Sequence, residues 1–193
     1  MWVRSAAIRP VPSFAFLPAH VLAAVETQLS DDDHGAREKL GEAFSRFEET
    51  QPELASHVSE MLSRPLDETA LALGYFLSLA VWLGFDRHFG VALGHVTETA
   101  LEGVAEALDL DEELRRADPA EAVESDDVVA MEQPHVLAFL HEHVDAALEA
   151  NADEVDVDDV QRIYRLVLVE TLALSYAVLP PRDVVLPSAE HTA

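Results

Sequence analysis

The sequence predicts an all-α fold, a compact single-domain bundle of six or seven helices, and three observations carry that prediction. Apolar residues recur at helical rather than alternating spacing along nearly the whole chain. Two long segments are almost uncharged: residues 69–96 hold one acid, Asp86, and one base, Arg87, while residues 161–193 hold three of each. Between them lies an acidic stretch, 97–160, where 21 acids face only Arg115 and Arg116 and supply most of the formal net charge of −25. Neutral segments of helical length satisfy their apolar surface by packing on one another, leaving carboxylates outside. The two central helices are therefore expected at about 67–85 and 156–179.

The first 17 residues read as an arm. Arg4 and Arg9 precede any acid, and Arg9, Pro10 and Pro12 interrupt what would otherwise be the apolar run of about 7–15 residues that a secretory signal requires. The arm is expected to lay Val11, Phe14, Phe16 and Leu17 on the body and to bring its arginines to the acidic coat. The helical domain then occupies 18–179. Pro18, a favoured first-turn residue, opens a helix with Val21, Leu22, Val25 and Leu29 on one stripe. The run Ser-Asp-Asp-Asp at 30–33 supplies a turn and a cap for a second helix over about 33–49, carrying Leu40, Phe44 and Phe47. Pro52 starts a third over 52–63, with Leu54, Val58, Met61 and Leu62 inward, and Pro65 stops it.

The fourth helix begins near Asp67 and is apolar all round, the pattern of a bundle centre. Gly74, Gly84, Gly90 and Gly94 crowd into this region, and the spacings Ala80-x-x-x-Gly84 and Gly90-x-x-x-Gly94 would let a neighbouring helix approach closely. The helix either breaks within 84–90 or runs on through Leu108. Residues 109–132 read as an acidic connecting segment of short turns, punctuated by Pro119. A further helix follows over about 134–149, with Leu137, Phe139, Leu140, Val144 and Leu148 inward. The last has the clearest start in the chain: Asp156 as N-cap, Asp158 and Asp159 in the first turn, and Val155 and Val160 at hydrophobic-staple spacing. It runs to Leu179, where Pro180 and Pro181 end it and the tail 180–193 begins.

Composition narrows the function. A chain of 193 residues forms one domain with an adequate core. Without cysteine there is no disulfide, thiolate metal site or cysteine nucleophile. Residues 69–85 are the one membrane candidate, and 17 uncharged residues fall short of the roughly 20 that a spanning helix needs. A soluble, cytoplasmic protein without membrane association is expected. Direct nucleic-acid binding is disfavoured, because phosphate contacts need clustered Lys or Arg, and the chain has one lysine against eleven arginines. The acidity itself has two readings: a GC-rich or salt-adapted composition, or an acidic face that attracts a basic partner.

Nine histidines among 37 acids invite a metal reading. Glu and His three residues apart on facing helices build dimetal sites in bundles, and His57/Glu60, His95/Glu98 and Glu132/His135 have that spacing. Such pairs also arise by chance in a chain this acidic. Glu170 is the other candidate, the single charge between Leu166 and Leu179 and on the apolar stripe of its helix; a buried carboxyl must be paired, hydrogen-bonded or protonated. The metal candidates are therefore Glu170, His95, Glu98, His57 and Glu60. No cofactor is identifiable, and no phosphate loop, nucleophile elbow, His-Glu-x-x-His or calcium loop occurs. The expected function is a non-enzymatic interaction or regulatory module, engaging a basic protein partner through an acidic helical face within 97–160 and able to self-associate as a homo-oligomer. The alternative is a helical-bundle metal- or cofactor-binding protein, an enzyme included.

Overall fold

The computed structural model describes residues 7–29, 36–117, 129, 132–150 and 155–181, and among the described residues helical periodicity becomes seven α-helices. They are α1 (Ala19–Leu29), α2 (Ala36–Thr50), α3 (Pro52–Leu62), α4 (Glu68–Phe89), α5 (Glu98–Ala117), α6 (Pro134–Ala150) and α7 (Val157–Ala177). Short 3-10 turns, Ser13–Ala15 and Gly90–Ala92, precede α1 and follow α4. Among the described residues there is no strand; Leu93 and Val178 form an isolated antiparallel bridge. The all-α bundle is thus the observed architecture.

The centre of the molecule is the pair α4 and α7, the most extensive helix–helix contact. They run parallel, because they are clipped together at both ends. At their N-termini Asp67 accepts from Ala70 N (2.8 Å) and from Asp156 N (3.2 Å), while Asp67 N donates to Asp159 Oδ2 (2.9 Å). Asp156 in turn accepts from Asp158 N (2.9 Å), as the sequence predicts for an N-cap. Parallel helices place like dipole ends side by side, and Asp67, Asp156, Asp158 and Asp159 supply the anions that offset the gathered positive ends. At the other ends Gly94 N donates to Ala177 O (2.9 Å) and Leu179 N to Ala92 O (2.7 Å).

From Leu77 to Phe85 every residue of α4 is buried, as is every residue of α7 from Leu166 to Ser175. The segment Glu68–Ala92 has the length and composition of a membrane span, yet 67% of its most apolar window is buried inside the bundle, as in the core helix of a water-soluble protein. Its glycines explain the close packing. A methyl at Gly74 would stand 2.5 Å from Leu62 Cδ2 and 2.8 Å from Ile163 Cδ1, so α3 and α7 both close on α4 there. Gly84 similarly receives Leu17 and Leu22. The second spacing, Gly90 to Gly94, is not a helix face. Gly90, at φ +51°, ends α4, and Gly94 lies beyond it against the carbonyl of Ala177.

Two further expectations change. The segment foreseen as turns from 109 is helical through Ala117, because Leu101, Val104, Leu108 and Asp111 give α5 one continuous buried edge. Arg165 of α7 fastens that edge, donating to Asp109 (2.6 Å) and Glu112 (2.7 Å). In the arm, Val11 and Leu17 are buried as expected, together with Ile8 and Ala15, but Phe16 is 39% exposed. Gln133 accounts for this: it accepts from Leu17 N (3.1 Å) and donates to Ala15 O (2.7 Å) and Ser175 Oγ (2.8 Å), fixing the neighbours of Phe16 toward the core. Arg9 lies over the Tyr176 ring, 4.1 Å from its centroid. Arg4 lies outside the described residues.

Candidate functional site

The second helical layer, α3 against α5, holds a hollow lined mainly by acidic side chains. Gln51 builds it. Standing at the α2–α3 junction and 2% exposed, its side chain donates to Gly94 O (2.9 Å) and accepts from Val96 N (2.8 Å), pinning the segment that leads into α5. Pro52 then starts α3 without wasting a backbone donor. Glu53 accepts from Glu98 N (2.5 Å) and Thr97 from Ala100 N (3.2 Å), so α5 is capped partly by its own flank and partly by the neighbouring helix. The two helices start side by side and leave a cleft of about 480 Å³ along their exposed faces.

Helical spacing decides what lines that cleft. From α3 come Glu53, Ser56, His57 and Glu60, at positions i, i+3, i+4 and i+7, and from α5 come Glu98, Leu101, Glu102 and Ala105 in the same pattern. Four carboxylates, one histidine and no lysine or arginine make a strongly electronegative trough with an apolar floor of Pro52, Leu101 and Ala105. Glu98 and Glu102 continue along α5 into exposed Glu106, Asp109 and Glu113, an acidic ridge on the outer side of the helix. His57 is half-buried. Burial lowers its pKa below the ordinary histidine value, Glu60 pulls it upward, and Arg64 pushes it down again. A depressed value keeps the imidazole neutral at pH 7, able to accept or donate one hydrogen bond.

The candidate residues foreseen from the sequence divide sharply. His57, Glu60 and Glu98 meet in the cleft, joined by Glu53 and Glu102. His95 is exposed and does not line it. Among the described residues no three His, Asp or Glu side chains are placed to hold one metal ion. Glu132 and His135 do not act as a pair either: Glu132 accepts from Val11 N (2.5 Å), holding the arm, and His135 is exposed. His143 packs against the rings of Phe76 and Phe139, with centroids 4.9 and 4.2 Å away.

Glu170 stands apart from all of them. It is fully buried in α7, and neither of its oxygens has a hydrogen-bond partner. Among the described residues the side chain that acts on it is Ser78 of α4. Burial drives the carboxyl well above the ordinary glutamate range, and Ser78 offsets only a little of that. Ser78 Oγ likewise completes no hydrogen bond, although the two groups influence one another, so the pair is in proximity rather than in good hydrogen-bond geometry. Glutamines carry the structural roles that reading by motif passed over. Gln51 and Gln133 are buried and hydrogen-bonded through their side-chain amides to backbone at long sequence separation, and the available clue was a polar residue immediately before a helix-starting proline in both cases.

Comparison with protein-family models, curated proteins and solved structures finds no match to the chain. The functional reading therefore rests on the cleft and the core themselves.

Proposed function

We propose that this protein is a non-enzymatic, cytoplasmic interaction module whose α3–α5 cleft receives a basic side chain or short basic segment of a protein partner. The single observation that carries this reading is the composition of the cleft wall: Glu53, Glu60, Glu98 and Glu102 surround a floor that includes Leu101 and contain no cation of their own. An arginine or lysine offers a matching shape, an apolar stem to lie on Leu101 and Ala105 and a charged head for the carboxylates. The net charge of −25 adds long-range attraction that speeds encounter with a cationic surface. His57, neutral at the base of the wall, adds a hydrogen-bonding group without repelling the incoming cation.

The test is fluorescence titration of a labelled oligoarginine peptide against the full chain. A triple variant, Glu60→Gln, Glu98→Gln and Glu102→Gln, is compared with a charge-matched control on α6, Glu142→Gln, Asp145→Asn and Glu149→Gln. Three well-placed charge contacts predict a loss of roughly a hundredfold for the cleft variant and a loss of about threefold for the control, which feels only the change in net charge. Equal weakening by both variants would mean that the peptide reads overall charge and that the cleft is not the site.

A further inference from the structure

The core contains a carboxyl with no partner of either kind, and its position gives it a consequence for the whole fold. Glu170 sits along the parallel α4–α7 pair, between the aspartate clip at Asp67 and Asp159 and the bridge at Gly94 and Ala177. One turn away on α7, Val167, Ala173 and Leu174 are apolar and buried, and every residue of α4 from Leu77 to Phe85 is buried, Ser78 among them. Both carboxyl oxygens are shut off from solvent. Among the described residues, no arginine, lysine, histidine or second acid of the elements packed around α7 acts on the group, and Ser78 is the one side chain that does. An isolated carboxylate in a dry interior is less favourable than the same group carrying its proton. The neutral acid has one O–H to satisfy instead of a full charge, and Ser78 carries the one side chain that acts on it.

We propose that Glu170 is held in the core as the uncharged carboxylic acid and that release of its proton to solvent drives the α4–α7 pair apart, so that one side chain sets an alkaline limit to the fold. The sign follows from linkage. A carboxyl whose folded-state affinity for the proton exceeds that of the unfolded chain stabilises the fold fully below the unfolded value, near the ordinary 4.5. That contribution is lost progressively as pH rises above it toward the folded value. The inference is independent of the cleft, since among the described residues no titratable cleft group acts on Glu170.

Urea denaturation of the full chain and of Glu170→Gln across pH 5–8 tests it. Surface acids contribute equally to both proteins, so the informative quantity is the ratio of their unfolding constants. That ratio is expected to rise by up to tenfold per pH unit, the signature of one proton released on unfolding. A ratio constant across this range overturns the proposal. Infrared spectroscopy of the native wild-type chain at pH 8, where ordinary carboxyls are ionised, keeps the question open to refutation even if the variant does not fold. An unionised carboxylic C=O band is expected, and its absence overturns the proposal as surely as a flat ratio.

Discussion

Glu170 and Glu102 are the same side chain in opposite circumstances, and the contrast between the α4–α7 core and the α3–α5 cleft explains most of this molecule. In the core, one acid lies among apolar neighbours with no partner and no access to water. In the cleft, four acids share a hollow open to solvent, where hydration keeps each charge inexpensive and mutual repulsion is screened over about 8 Å at physiological salt. The core owes its stability to excluding charge, and the surface owes its attraction for cations to concentrating it. Mutations should therefore separate cleanly into those that unfold the protein and those that only change what it binds.

The largest expected effect is in the core. Trp82 is fully buried on α4, with its ring centroid 4.9 Å from that of Phe47. Trp82→Ala should cost about 3–5 kcal/mol by the lost transfer energy and the cavity left behind, measured by urea denaturation. A cost below about 1 kcal/mol would show that the interior is not dry and close-packed around this ring. Next comes the clip at the helix starts. Asp67→Ala removes acceptors for both Ala70 N and Asp156 N. A loss of roughly 1–2 kcal/mol is expected, and because the cap serves both helices, the first-turn amides of α4 and α7 should lose hydrogen-exchange protection together. Loosening of α4 alone would contradict the reciprocal capping.

The smallest expected change in stability is at the cleft. Neutralising Glu60, Glu98 and Glu102 touches no buried group, so the unfolding free energy should move by less than about 0.5 kcal/mol per site, in the stabilising direction as repulsion falls. Differential scanning fluorimetry decides this, and a large destabilisation would mean the cleft glutamates are part of the framework. His57 gives the cleft a weak pH dependence of opposite sign to that of the core. Its folded value is depressed, mainly by burial, so its contribution is present above the ordinary histidine range, near 6.5, and is lost as pH falls through that range.

Much of this division is legible in the sequence, because charge segregation along a chain becomes charge segregation in depth. The neutral run around Trp82 and the lone acid at Glu170 mark the two central helices and the one exceptional carboxyl. Asp156, flanked by Asp158 and Asp159, marks where α7 begins. What escapes notice is the pairing of elements. Nothing local in His57 or Glu98 says that α3 and α5 start side by side; that depends on Gln51 reaching Gly94 and Val96 across more than forty residues. The helical continuation of α5 past Asp109 escapes for a related reason. Its acidity resembles a solvated linker, and only the packing of Leu108 and Asp111 with the anchorage from Arg165 reveals a buried edge. His95 illustrates the converse: its spacing to Glu98 fits a helical pair, but it stands before α5 begins, so helical spacing does not apply.

Native-state hydrogen exchange, resolved by residue, tests the contrast between core and cleft most directly. Amides of α4 from Leu77 to Phe85 and of α7 from Leu166 to Leu174 should exchange only through global unfolding, at a free energy equal to that found with denaturant. Amides of α5 beside Glu98 and Glu102 should exchange through smaller openings. If the α4 and α7 amides exchanged as readily as those of α5, the neutral helices would not form the dry centre on which the account depends.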